Sequence, residues 1–326
     1  ACLLLPIAGY SQTTKDLEKG ATDTGNVLNY GMGYGQQRFS PLEQINKKTV
    51  KSLVPAWNLS LDDSRSQESQ ALVYNGVLYI TTHAATIAVN AKTGKQLWKT
   101  PVAYPPETPR IVCCGIINRG VALYDGKVFR TSLDAHVIAL DGKTGKELWT
   151  RYTTTSPGEP GHETWNGNDN WKTGGATTWI TGSYDPKLDL VFWGTGNGAP
   201  WNPQMRAKGG DSLFICSVIA MRPKTGELVW HYQFSPADPY DYDSVNEMVL
   251  GDVIVNGKTV NALINANRNG FFYVLDRATG KLMAANQYAK KLNWATGVDL
   301  ATGRPIDTEM TKRFKAEAVM KADEIV

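Results

Sequence analysis

The sequence predicts an all-β protein made of repeated four-stranded units, the blades of a β-propeller, and three observations predict it. A Thr-Gly turn preceded by a short apolar strand recurs with its glycines at 94, 145, 226 and 280, intervals of 51, 81 and 54 residues. The first three copies close on a tryptophan at one fixed distance from the glycine: Trp98, Trp149 and Trp230. Asn75-Gly76, Asp125-Gly126 and Asn256-Gly257 each join two β-rich runs, and such dipeptides favour the two-residue turns of β-hairpins because both positions accept positive φ. Units of about 50 residues holding four short strands describe blades, and a tryptophan at a fixed place in each is an inter-blade packing anchor.

Taken in order, residues 1–12 contain a short apolar run followed by small and polar residues. This reads as the tail of a signal peptide, with an ordinary N-terminal strand as the alternative. Residues 13–326 are then a partial propeller domain. Residues 9–66 are turn-rich; Gly31, Gly33 and Gly35 read as a structural loop, since no phosphate-binding strand–loop–helix pattern surrounds them. Val50–Leu59 reads as a strand. The first repeat runs from Leu72 through the Asn75-Gly76 hairpin and the strand Thr86–Asn90 to Trp98. The second runs from Leu123 through Asp125-Gly126 and Val137–Leu140 to Trp149. The third is Ile219–Trp230. The last begins with the hairpin Val253–Ile264 and continues through Phe272–Leu282 without a closing tryptophan. The 81-residue interval contains Thr153–Lys172, rich in Gly, Pro, Asn and Asp, where no hairpin is visible. Residues 312–325 have a helix-like composition.

The totals bound the function. Of 326 residues, 42% are hydrophobic and 20% charged, which excludes a disordered chain. A net charge of +3, dispersed along the chain, gives no basis for nucleic-acid binding. No apolar run approaches the ~20 residues of a transmembrane span.

The repeats AVNAKTGKQLW, ALDGKTGKELW and AMRPKTGELVW resemble the tryptophan-docking repeats of quinoprotein alcohol dehydrogenases. The segments RSQESQA, CCGIINRG, GTGNGAPWN, PYDYDSVNE and NRNGFFYVLDR carry the same resemblance from about Gln37 to Pro305. It implies a periplasmic, eight-bladed propeller enzyme that uses pyrroloquinoline quinone and a metal ion, of which this chain covers part.

Residue by residue, the resemblance implies the following site. Cys113 and Cys114 form a vicinal disulfide against one face of the quinone. Neighbouring Cα atoms lie about 3.8 Å apart, below the usual disulfide span of roughly 4.4–6.8 Å, so such a ring is strained. The residues alone read as two buried free thiols, and their adjacency excludes a zinc knuckle. Trp179 stacks on the other quinone face, with a core tryptophan as the alternative. Glu68 and Arg119 hold the polar edge of the quinone, Arg through its bidentate fork; either could instead be a surface ion pair. Asn197 supplies an amide oxygen to the metal, where local sequence alone reads an Asn-Gly turn. Asp241 is the general base and a metal ligand. Arg268 stabilises negative charge developing on the quinone oxygen. Asp243 is a second carboxylate on the metal. If the backbone is extended there, residues two apart point to one side, so Asp241 and Asp243 converge on one ion. That second aspartate resembles lanthanide members of the family, calcium being the alternative. Asp238 reads as a solvated loop acid.

The pattern departs from the family in one place. Between positions like Trp149 and Trp165 the family carries a complete blade segment with a metal-binding glutamate, and residues 150–163 are too few to contain it. Glu159 and Glu163 lie there in an irregular stretch and are not assigned that role. The reading is therefore oxidation of a primary alcohol by hydride transfer to bound pyrroloquinoline quinone, with electrons passing to a c-type cytochrome. No Cys-x-x-Cys-His haem attachment motif occurs within these residues. A homodimer is an open state. The competing readings are a non-catalytic propeller scaffold of the cell envelope and a calcium quinoprotein with another substrate.

Overall fold

Tight turns set the spacing of the strands. The computed structural model describes residues 11–65, 67–106, 108–112, 115–172, 175–180 and 182–317. A short helix, α1 (Thr14–Glu18), precedes the strands; its N-cap Thr13 and Asp16 form a reciprocal capping box. The first sheet contains β1 (Leu72–Tyr74), β2 (Val77–Thr81), β3 (Ala85–Asn90) and β4 (Gln96–Pro101) in that order. After a helical turn, α2 (Thr108–Ile111), the second contains β5 (Ala122–Tyr124), β6 (Lys127–Ser132), β7 (His136–Asp141) and β8 (Glu147–Tyr152). The third contains β9 (Ser183–Asp185), β10 (Leu190–Gly194), β11 (Ser217–Met221) and β12 (Leu228–Gln233), with helix α3 (Pro203–Ala207) between β10 and β11. The fourth contains β13 (Val249–Val255), β14 (Lys258–Ala266), β15 (Phe271–Asp276) and β16 (Leu282–Gln287). A two-stranded ribbon, β17 (Ala295–Val298) with β18 (Pro305–Asp307), leads into α4 (Glu309–Glu317).

Each four-stranded sheet is a meander of sequential strands, the architecture of a propeller blade. The dipeptide turns are as expected: Tyr74 pairs with Val77, Tyr124 with Lys127 and Val255 with Lys258, across Asn75-Gly76, Asp125-Gly126 and Asn256-Gly257. All six turn residues have φ between +47° and +76°. The Thr-Gly turns are closed by the residue that ends the preceding strand. Asn90, Asp141 and Asp276 each accept two backbone N–H bonds from the turn through Oδ1.

The tryptophans dock as packing anchors. Trp98 lies on the backbone of Gly145 and donates Nε1–H to the carbonyl of Gly142 at 3.2 Å; Trp230 lies on Gly280 and donates to Arg277 at 3.2 Å. A Cβ on either glycine would come within 2.6 Å of the indole, and φ near +70° adds a second reason for glycine. Two docking residues escaped the sequence pattern. Trp57 docks on Gly94 and donates to Ala91 at 3.0 Å. Tyr232 lies on Gly303, in a further Thr-Gly turn at Thr302, and donates its hydroxyl to that glycine's carbonyl at 2.6 Å.

The strand expected over Val50–Leu59 is absent. Val50–Ser52 is a 3-10 turn and the following residues are extended without a ladder, with Val50, Leu53 and Val54 exposed. Trp57, Leu59 and Leu61 instead pack against Ala85, Ile87 and Val89, so side-chain packing replaces strand pairing. Thr153–Lys172 holds no hairpin, as read, but two 3-10 turns at His162–Trp165 and Asp169–Lys172.

The chain divides into two compact units: Ala1–Ala103 with Ile116–Thr131 and Ile138–Thr150, and Tyr104–Gly115 with Ser132–Val137 and Arg151–Val326. The core of the first includes Leu72, Tyr79, Leu123, Val128 and Leu140; that of the second includes Phe192, Trp230, Phe234, Leu263, Tyr273 and Trp294. No helix among the described residues is long and apolar enough to cross a membrane.

Candidate active site

In the second unit the site is assembled around the end of β10, where Thr195-Gly196-Asn197-Gly198 runs between two other segments. On one side, Ala176 N–H donates to the Asn197 carbonyl at 2.8 Å and Gly196 N–H to Thr177 at 2.9 Å. On the other, Ser244 N–H donates to the Thr195 carbonyl at 3.0 Å, and Asn267 Nδ2 donates to Ser244 Oγ at 3.0 Å. Backbone pairing brings Trp179 and the Asp241–Asp243 loop together, and the side-chain bond from Asn267 adds the Arg268 turn. Gly196 permits the approach. A Cβ there would meet the Trp179 ring at 2.5 Å and Asp243 Oδ1 at 3.1 Å. The spaced glycines of this segment are the sequence signal for that crowding, and sequence reasoning passed over it.

Asp243 is the better shielded acid. Its Oδ1 accepts the Asn197 N–H at 2.9 Å and its Oδ2 pairs with Arg268 Nη1 at 2.8 Å. Burial pushes its carboxyl up to about 6, outweighing the Asn197 hydrogen bond; Asp241 raises it further, while Arg268 opposes. Asp241 lies 3.7 Å from Arg268 Nη2, and burial also raises its carboxyl, again against Arg268. The extended geometry expected for the doublet is not what joins them. Asp241 has φ +64°, in the left-handed region, and the guanidinium of Arg268, about half exposed, bridges the two carboxylates.

Asp238 is not a solvated loop acid. It is buried, accepts the N–H groups of Tyr240 and Tyr242, and its carboxyl is raised chiefly by burial. Its carbonyl receives the buried Arg206 guanidinium at 3.0 Å. Glu159 pairs with Arg151 and accepts the Ser156 N–H, and Glu163 accepts the Gly161 N–H, so both serve local turns.

In the first unit, Glu68 Oε2 and Arg119 Nη2 form an ion pair at 3.2 Å with both side chains nearly half exposed. Gln70 bridges to Gly120, and Asn118 is held by the Thr131 carbonyl and the Gly120 N–H, which fixes the turn bearing Arg119. Cys113 and Cys114 lie outside the described residues.

The partly exposed Trp179, its ring edge packed on Gly196, fits a flat aromatic group laid beside two carboxylates and a guanidinium. For a metal, the donors Asp241, Asp243 and Asn197 are hard oxygens, correct in kind for calcium or a lanthanide. They fall short in number. Among the described residues no group of three or more His, Cys, Asp or Glu is gathered that could hold an ion, and calcium takes about six to eight oxygens.

Known proteins resemble this chain along most of its length. The glucose/ethanol/alcohol dehydrogenase β-propeller domain, a pyrroloquinoline quinone family, matches residues 28–147 and 125–290. The chain is 37% identical to quinohemoprotein alcohol dehydrogenase ADH IIB of Pseudomonas putida over 388 aligned positions, covering 98% of this chain and 56% of that protein. It is 34% identical to quinoprotein alcohol dehydrogenase PedH of Pseudomonas putida, covering 96% and 63%. Among solved structures, a europium-containing methanol dehydrogenase superposes with a TM-score of 0.59 at 32% identity, covering 91% of this chain and 64% of that one. Quinohemoprotein alcohol dehydrogenase ADHIIG of Pseudomonas putida HK5 superposes with a TM-score of 0.60 at 32% identity, covering 92% and 53%. The chain spans about half the length of the curated relatives it matches.

Proposed function

This chain belongs to the pyrroloquinoline quinone-dependent glucose/ethanol/alcohol dehydrogenase β-propeller family, and on that premise we propose that its protein oxidises a primary alcohol. The observation that carries the reading is the pair Asp241 and Asp243 bridged by Arg268 beside Trp179. Trp179 provides a stacking face for the quinone. By the family resemblance, the polar edge of the quinone falls to Glu68 and Arg119, and a covering vicinal disulfide to Cys113 and Cys114, which lie outside the described residues. Bound pyrroloquinoline quinone supplies a two-electron acceptor for the hydride leaving the alcohol carbon.

Asp241 takes the hydroxyl proton on a carboxylate oxygen. Burial raises its basicity, and the nearby guanidinium opposes that rise by favouring the carboxylate. Arg268 projects positive charge toward the place where negative charge develops. Asp241, Asp243 and the Asn197 amide oxygen would supply three of a hard cation's oxygen ligands, fewer than the about six to eight that calcium takes. The second carboxylate favours a trivalent lanthanide over calcium by charge, a preference in keeping with the europium-containing neighbour. The protein is exported to the periplasm and passes electrons to a c-type cytochrome.

Reconstitution with the quinone and either lanthanum or calcium, followed by ethanol-dependent dye reduction, tests this. Activity with lanthanum is expected, with kcat falling at least ~100-fold in Asp241→Asn. Activity with calcium alone removes the lanthanide assignment, and quinone binding without turnover under either metal removes the enzymatic one.

A further inference from the structure

Helix α3 turns the usual preference inside out. Met205 is 65% exposed, while its neighbour Arg206 is fully buried. A guanidinium shut off from water is costly unless its hydrogens are taken up, and apolar side chains fill such space at less cost. The acceptors Arg206 finds tie separate segments together. Nη1 donates to the carbonyls of Pro200 and Trp201 at 2.9 and 3.0 Å, and Nη2 to the carbonyl of Asp238 at 3.0 Å. Nε donates to Ser212 Oγ at 3.2 Å. Gly198 makes the seat: a Cβ there would come within 2.5 Å of Nε and 2.6 Å of Cδ and Cζ. The helix itself is pinned, because Asn202 accepts the N–H groups of Gln204 and Met205, and Asn170 Nδ2 donates to the carbonyls of Met205 and Arg206.

Two of the segments held by Arg206 lead into the site. Three residues before Pro200, Asn197 N–H donates to Asp243 Oδ1 at 2.9 Å. Asp238 carries the restraint on to Asp241. Its Oδ1 accepts the Tyr240 N–H at 3.2 Å and its Oδ2 the Tyr242 N–H at 3.1 Å, the amides on either side of Asp241. Asp241 stands between them at φ +64°, uncommon for a residue other than glycine.

We propose that Arg206 is a positioning residue, a buried fork that fixes the Asp238–Asp243 loop against the Asn197 segment and so sets where the Asp241 carboxylate stands. Its bearing on turnover rests on the reading of Asp241 as the base; the restraint on the loop does not. Lysine in this place keeps the charge but offers one nitrogen instead of a planar fork.

Hydrogen exchange on the chain as it stands reads the restraint directly. In Arg206→Lys the amides of Asn197, Tyr240 and Tyr242 are expected to exchange at least ~10-fold faster, while those of Leu263 and Leu275 in the β14–β15 ladder stay within about twofold. Gly198→Ala crowds the guanidinium without removing it. It is expected to give the same pattern, and it decides if Arg206→Lys does not fold. In turnover with quinone and metal, Arg206→Lys is expected to lower kcat by about 10–100-fold, with the alcohol KM moving less than about threefold. Uniform acceleration that includes Leu263 and Leu275 overturns the proposal in favour of plain core packing. So do unchanged exchange and turnover in Arg206→Lys, because the charge alone then suffices. Selective exchange with unchanged kcat overturns the link to the base. If the unaltered chain shows no turnover, the reading of the activity fails, and the exchange pattern alone decides whether Arg206 fixes the loop.

Discussion

Asp238, Asp241 and Asp243 lie close together in sequence, yet each meets a different environment. Asp238 is sealed in, Asp243 is shielded but bonded to Arg268, and Asp241 is the most open of the three. Replacing Arg268 by Gln removes the cation that opposes burial at both site acids. The Asp243 carboxyl, already pushed up to about 6, is then expected to titrate higher, as followed by its carboxyl carbon shift. The folded pKa of Asp238 is raised, so between the unfolded value and that raised value the native state holds the extra proton. Stability therefore falls as pH rises through this window. Asp238→Asn is expected to flatten that slope in denaturant titrations at successive pH values; an unchanged slope assigns the dependence elsewhere. This residue shows why the site was only partly legible in the sequence. The spacing of Asp241 and Asp243 was visible, but the burial of Asp238 depends on Arg206 and Cys216, which pack near it from distant segments. The left-handed backbone of Asp241 leaves no mark in a window where tyrosine and aspartate alternate.

At the level of the strand and its turn, the same residue type does two jobs. Gly76 and Gly145 both have φ above +70°, but a Cβ on Gly76 meets nothing within 4 Å, while one on Gly145 strikes the Trp98 ring. Gly76→Ala is expected to cost about 1–2 kcal/mol from backbone strain alone. Gly145→Ala is expected to cost about 1–3 kcal/mol more as the indole is displaced, both measured by denaturant unfolding. The hairpins marked by Asn-Gly or Asp-Gly were legible because those dipeptides specify one turn geometry. The β9–β10 hairpin was not. Its turn is Pro-Lys-Leu-Asp, held by Asp185 Oδ1 accepting from Lys187 and Leu188, with Asp189 alone at positive φ. The strand expected over Val50–Leu59 failed for the opposite reason: its apolar residues fit a strand, but no neighbouring strand takes up its backbone groups.

For the chain as a whole, ligand linkage gives a test independent of turnover. Anything that binds only the folded state stabilises it, by about 2.7 kcal/mol at a hundred times its Kd. Quinone and lanthanum together are therefore expected to raise Tm by several degrees, and by more than either alone if they share one site. Additive shifts indicate separate sites. Blade architecture was legible at this scale because each of the four repeats carries its own turn and the first three their own tryptophan; the division into two compact units was not, since it depends on contacts between residues far apart in the chain. The docking bond also ties neighbouring repeats together. Trp98 and Trp230 each take their acceptor from the turn of the next repeat, so damage to one turn is felt by the blade before it as well as by its own.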